Sequence, residues 1–158
     1  MTAETAVQDL YEAEFAHCYG CGRLNEGGLH VRTVWRDGQG EARYTPRPGQ
    51  VAVPGYVYGG LIASLVDCHG IGTAAAAAME EAGLEPGADA SPRFVTASLR
   101  VDFLAPTPMG RELRLRARPV EVGARKVVVE VEMTAGGPVT ARGRVVAVRM
   151  PESFGSPG

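Results

Sequence analysis

Hydrophobic and polar positions alternate most clearly in the last third of the chain. In "TASLRVDFL", Ala97, Leu99, Val101 and Phe103 fall on one face, and Thr96, Ser98, Arg100 and Asp102 on the other. "RELRLRAR" sends Leu113, Leu115 and Ala117 one way and Arg114, Arg116 and Arg118 the other. "KVVVEVEM" sets Val127, Val129, Val131 and Met133 opposite Val128, Glu130 and Glu132, and "VTARGRVVAVRM" is a final run of the same kind. A period of two is the signature of a strand. The breaks near Gly123 and at residues 136–138 are short enough for antiparallel hairpins. The implied register puts Arg116 near Glu130, and Glu130 near Arg142 or Arg144. That would be an Arg–Glu–Arg ladder on a polar sheet face, and simple solvation explains the same charges.

Upstream, "LHVRTVWR" alternates as a strand, "DGQG" is a hairpin turn and "EARYT" is the returning strand. Residues 4–16 form a short helical pattern. "PRPGQVAVPG" and "GLEPGADASPR" are loops, rich in the residues that interrupt regular structure. Between them the alternation disappears. From Gly59 to Met79 nearly every residue is apolar or small, and Asp67 is the only carboxylate. This run, extended to about residue 82, predicts one long helix. The apolar sheet face needs a partner, and this helix is the only long apolar candidate. The expectation is a single α+β domain over residues 1–158, with an antiparallel sheet of about six strands wrapped around one central helix.

Composition narrows the function classes. The 158 residues are 45% hydrophobic, with a net charge of -2 and a pI near 5.9. No clustered basic excess marks a nucleic-acid binder. Lys126 is the one lysine among 16 basic residues. Residues 59–79 are long enough to span a bilayer, but they are dominated by Gly and Ala, with Asp67 and His69 near the middle. A charge at that depth is costly, so a core helix is the better reading and no membrane partner is expected. The acidic start "MTAETAVQDLYEAEF" lacks signal-peptide features, and three cysteines do not make a secreted disulfide framework. A cytoplasmic protein is the expectation.

Cys18 and Cys21 form a C-x-x-C. His17 and His30 could complete a four-ligand zinc set; a redox pair and a purely structural loop are the alternatives. No cofactor is expected, and no metal is assigned to the functional site.

The chemistry centres on the helix. At 3.6 residues per turn, Gly60, Ala63, Ser64, Asp67 and Ile71 share a stripe that is small and polar around Asp67. A buried carboxylate is expensive unless paired. Asp67 therefore either meets an arginine or a backbone cap, or serves as a catalytic carboxylate at the floor of a cleft. Gly59 and Gly60 stand at the helix start, where the first N–H groups lack internal partners and carry partial positive charge. They make either a tight entry turn or an oxyanion site. Asp67 lies seven residues beyond Gly60, about 10 Å along the axis. One helix can hardly bring both groups to one carbonyl. Two antiparallel copies can, which predicts a two-fold dimer with sites across its interface.

The stretch "VYGGLIASLVD" resembles the "HGG…D" helix of the hotdog-fold thioesterases of the phenylacetate-degradation and THEM-like type. "CYGCG…N…GL" resembles an N-terminal motif of these chains, and "TASLRVDFLAPTPMGRELRLRARPVEVGARKVVVEVEM" resembles their strand block; the likeness spans about residues 17–150. It implies a hotdog fold and an acyl-CoA thioesterase built as homodimers or as dimers of dimers. It also implies that Asp67 is the general base or nucleophile and that Gly60, with Gly59, supplies the oxyanion N–H. Gln50 and Thr96 or Ser98 would orient water or substrate. Arg125 and Lys126 would meet the phosphates of CoA, or are ordinary hairpin-end charges. Tyr58 stands where the family usually has His; it can donate a hydrogen bond but is a poor base near neutral pH. That departure keeps open a non-catalytic acyl-CoA binder. A hotdog-fold enoyl-CoA hydratase or dehydratase is the third reading, although those enzymes generally use a histidine near this helix. His69, two positions from Asp67, reads as a packed core residue.

Overall fold

The structure, a computed structural model, describes residues 4–155. It contains one six-stranded antiparallel sheet and one long helix, α1 (Gly59–Glu81). The strands are β1 (Val34–Arg36), β2 (Gln39–Tyr44), β3 (Phe94–Phe103), β4 (Leu113–Val122), β5 (Lys126–Thr134) and β6 (Val139–Arg149). Their spatial order is β1-β2-β4-β5-β6-β3, so the chain crosses the whole sheet between β2 and β3 by way of α1. The helix touches β2, β3, β4, β5 and β6. Its apolar length is a core property: Leu61, Ile62, Leu65, Val66 and nearly everything from Cys68 to Met79 are buried under the sheet.

The helix ends where local chemistry demands. Gly83 adopts a φ of 76°, open to glycine without steric cost, and lets its own N–H and that of Leu84 close onto Glu80 and Met79 carbonyls at 3.0 and 2.8 Å. Sheet and helix approach closely because small residues sit at the crossings. A Cβ on Gly143 of β6 would lie 2.2 Å from Val66, and one on Gly70 of α1 would lie 2.5 Å from Val145.

The inward faces of β4, β5 and β6 follow the alternation: Leu113, Leu115, Ala117, Val127, Val129, Val131, Met133, Ala141, Val145 and Ala147 are all buried. The hairpin between β1 and β2 is closed by Asp37 and Gly38, both at positive φ, which suits a two-residue turn.

Several expectations need correction. Residues 4–16 hold no α-helix but two short 3-10 turns, Val7–Leu10 and Ala13–Phe15, closed by local bonds such as Asp9 N–H to Ala6 and Phe15 N–H to Glu12, while Val7 and Gln8 are drawn off to Thr33. The strand expected over residues 29–36 is paired only at Val34–Arg36. Upstream, the N–H groups of Leu29 and Val31 bond to the Tyr19 and Gly20 carbonyls, and His30 turns to a φ of 55°. The ladder exists, with Glu130 beside Arg144 as expected, but its β4 member is Arg118 and not Arg116. Arg116 opposes Glu132, while Arg118 meets Glu130 at 3.3 Å and Arg144 meets Glu130 at 3.7 Å. Arg142 meets Glu132 at 3.3 Å. These pairs face solvent and each contributes at most about 1 kcal/mol.

In β3, the expected split of faces fails at one residue. A bulge at Ala97 lets Thr96 pair with Ala147 while Leu99 pairs with Val145. Residues paired directly across a sheet share a face, so Thr96 joins Leu99, Val101 and Phe103 on the helix side, and Ser98 points to the outer side.

Candidate functional site

The least buried stripe of α1 is Gly59, Gly60, Ala63, Ser64 and Asp67; the residues around it are in the core. This stripe runs beside β3, which is the sheet edge. Gly59 lies against the Phe103 ring at one end of that strand, and Asp67 meets Thr96 at the other. The bulge at Ala97 makes the second contact possible: the Thr96 hydroxyl donates to Asp67 Oδ1 at 2.5 Å. No cation pairs with Asp67 among the described residues. Burial pushes its carboxyl above the usual range; the Thr96 hydrogen bond pulls the other way, and the nearby Cys18 sulfur adds to the rise.

At the helix tip, Tyr58 is the N-cap, with extended backbone and no side-chain cap. Its carbonyl accepts the N–H groups of Leu61 and Ile62. The N–H groups of Gly59 and Gly60 have no acceptor among the described residues. The Tyr58 ring folds over Gly60 so closely that a Cβ there would fall 2.4 Å from the ring. Ser64 Oγ donates to the Gly60 carbonyl at 2.8 Å, steadying the first turn. The helix is continuous from Gly59 to Glu81, so the separation of about 10 Å between Gly60 and Asp67 stands.

The remaining candidates distribute unevenly. Gln50 supports the helix tip: its carbonyl accepts the Tyr58 N–H at 3.0 Å, and its Oε1 accepts from Tyr44 Oη and the Arg47 N–H. Ser98 faces away from Asp67. Arg125 and Lys126 are exposed at the hairpin joining β4 to β5, with Lys126 paired to Glu121 at 3.4 Å. Lys126 is in register with Val148, and Val148 with Val95, which puts it two strands, about 10 Å, from the Thr96 end of β3. A groove of about 640 Å³ lies on the opposite, polar face of the sheet, among Arg100, Arg118, Glu130, Arg142 and Arg144; Asp67 has no part in it.

His69 is a core residue. Nδ1 contacts Thr33 Oγ1 at 2.9 Å and Nε2 contacts the Gly40 carbonyl at 3.2 Å. Gly40 can only accept, so Nε2 carries the proton and Nδ1 takes the threonine's. Burial pushes the imidazole down to about 4. With both nitrogens engaged, His69 is not available as the histidine a hydratase would need.

The reading of the cysteines missed one member. Cys68, beside Asp67 on α1, joins Cys18 and Cys21; the three sulfurs lie within 4.8 Å of one another. His17 and His30 are outside the cluster, and His30 Nε2 is held by the Asn25 carbonyl at 2.5 Å. Hydrogen bonds from Cys21 and Cys68, with backbone N–H groups of Cys21 and Gly20, hold the Cys18 thiol below its usual range. A 50-residue separation hid this contact from any spacing argument.

A family model for the thioesterase superfamily matches residues 54–142, more than half of the chain. A thioesterase superfamily protein from Shewanella loihica PV-4 is 47% identical, with a TM-score of 0.68 over 89% of this chain and 100% of that one. A phenylacetic acid degradation-related protein from Ralstonia eutropha JMP134 is 25% identical, with a TM-score of 0.60 over 76% and 85%. A Streptococcus mutans UA159 protein solved with acetyl-CoA is 17% identical and shares the fold, with a TM-score of 0.64 over 81% and 96%. No match was found among the curated proteins. The helix-wrapped sheet, the 47% identity and the family match together make this chain a hotdog-fold member of the thioesterase superfamily.

Proposed function

We propose that this protein hydrolyses acyl-CoA thioesters, with Asp67 of one subunit and the Gly59–Gly60 helix tip of another acting on the same carbonyl. The observation that carries the reading is Asp67 itself: a half-buried carboxylate on the open stripe of a core helix, held by Thr96 and paired with no cation among the described residues. In the general-base form of the reaction, Asp67 takes a proton from water as the water attacks the thioester carbon. The carbonyl oxygen gains negative charge beside the free N–H groups of Gly59 and Gly60, at the positive end of α1. Collapse of the tetrahedral species expels CoA as a thiolate. In the nucleophilic form, Asp67 attacks directly and water cleaves the resulting anhydride. Acetyl-CoA in the Streptococcus mutans neighbour supports a CoA thioester as substrate, and Arg125 and Lys126 are suitably charged for its phosphates.

The edge strand supports the dimer. β3 is ten residues long, and Leu99 (40%) and Phe103 (55%) are exposed on its helix side. A long open edge is a template for pairing with another chain. Antiparallel pairing with a second β3 about a two-fold axis near its middle sets the Phe103 end of one strand at the Thr96 end of the other. Gly60 of the partner subunit is then carried toward Asp67. Dimers could assemble further into tetramers by another surface.

Thiol release from a panel of acyl-CoAs tests the activity. Asp67→Ala and Asp67→Asn should each lower kcat by about 100-fold or more while the fold is kept. Parent rates in both variants would overturn the assignment. One observation favours a second reading: the Tyr58 ring covers Gly60. Tight acyl-CoA binding with no turnover across the panel would establish a binding protein instead.

A further inference from the structure

We propose that Cys18, Cys21 and Cys68 form a three-thiolate site for a thiophilic divalent metal ion, with zinc the best fit and a fourth position open on the Cys18 side. The distances suit that ion. Cys18 Sγ and Cys68 Sγ are 3.8 Å apart, and all three sulfurs lie within 4.8 Å of one another. A tetrahedral ion with bonds of about 2.3 Å to sulfur separates its ligands by about 3.8 Å. A disulfide needs about 2.05 Å. The cluster therefore has the spacing of ligands around a common centre.

The loop is shaped for the purpose. The Gly22 N–H closes onto the Cys18 carbonyl at 2.7 Å. A Cβ on Gly20 would fall 2.1 Å from Cys68 Sγ, and one on Gly22 would fall 2.4 Å from the Cys18 nitrogen. Glycine thus occupies the two places where a side chain would prevent the C-x-x-C turn from closing over the helix sulfur. Three thiolates around a divalent ion leave one negative charge. Arg93, stacked on the Tyr11 ring with Nε and Nη1 buried and lacking a hydrogen-bond partner among the described residues, is near enough to Cys21 to act on it electrostatically. Cys21 and Cys68 are buried, while Cys18 is exposed and provides both the entry path and the open coordination position. Such an ion would pin the N-terminal loop to α1 one residue from Asp67.

The test uses the full chain, purified under reducing conditions and freed of metal by chelation, and it reads metal binding alone. A thiol assay on the denatured chain should count three thiols. Titration with cobalt(II) should produce a sulfur-to-cobalt charge-transfer absorption that saturates at one ion per chain and is displaced by zinc. Changing each cysteine to serine should weaken cobalt binding by at least the ~10–100-fold lost when even an outer-shell partner is removed. His17→Ala and His30→Ala should leave binding unchanged. Because Cys68→Ser alters the core, circular dichroism must show a native spectrum. Independently, zinc should shield all three thiols of the parent chain from a maleimide. The proposal is overturned if no charge-transfer absorption appears, if it survives in Cys68→Ser, if zinc leaves the thiols reactive, or if fewer than three thiols are found.

Discussion

At the scale of single residues, Asp67 owes its properties to where the chain puts it. Burial raises the cost of its charge, and the Thr96 hydroxyl at 2.5 Å offsets part of that cost while fixing the carboxylate's orientation. Removing the hydroxyl should therefore affect the reaction more than the fold. Thr96→Val is expected to lower kcat about tenfold, equivalent to roughly 1.4 kcal/mol, with KM and the thermal midpoint close to parent; steady-state kinetics beside a melting curve checks this. Asp67 and the paired glycines were legible in the sequence because a lone acid in an apolar helix stands out. The role of Thr96 was not. Strict alternation puts it opposite Leu99, and only the bulge at Ala97, which leaves no signature in a single sequence, turns it toward the helix. The partners of His69 were equally hidden, since Thr33 and Gly40, and the Gln8 that bonds Thr33, come from segments far from it in the chain.

At the scale of elements, the strands from Leu113 to Arg149 were readable because one face is core and the other solvent, and polarity then reports orientation directly. The N-terminal segment was not, because its short local turns are joined by bonds between residues distant in the chain: Val7 to Thr33, Leu29 to Tyr19, Val31 to Gly20. The register error in the ladder has a comparable cause. Hairpin closure around Gly123 includes an irregularity between Pro119 and Glu121, and it shifts Arg118 to Glu130. Helix and sheet meet with no spare volume at Val66 and Gly143. Gly143→Ala should destabilise the protein by about 1–3 kcal/mol through overpacking, visible as a lower urea midpoint. The N-terminal turn is tied down by Asp9 and Arg32. Burial raises the Asp9 carboxyl, but the hydrogen bonds from Arg32 and the Ala6 N–H outweigh it, and the net shift is downward. The unfolded state therefore binds a proton more readily there. Its stabilisation is present above the ordinary aspartate range and is lost as pH falls through the lowered folded value. Asp9→Asn should cost up to about 1 kcal/mol at neutral pH, and denaturant titrations should show the difference shrinking in acid.

At the scale of the whole molecule, the proposed reaction has one chain present half of two sites. Its open helix stripe carries a carboxylate at one end and free N–H groups at the other, about 10 Å apart, beside an unpaired strand edge. In the proposed dimer, a two-fold axis through that edge completes both halves at once. The measurement that tests this most directly is subunit complementation. Asp67→Ala removes the carboxylate, and Gly59→Pro removes a helix-tip N–H at the first helical position, where proline is tolerated and an added Cβ stays 3.4 Å from Phe103. Each variant alone should be nearly inactive toward the acyl-CoA that the parent hydrolyses best. Co-refolding them in equal amounts makes half of the dimers mixed, each with one intact and one doubly defective site, and should restore about a quarter of parental activity. If the mixture is no more active than the separate variants although mixed dimers are shown to form, Asp67 and the Gly59–Gly60 helix tip do not serve one carbonyl from opposite subunits.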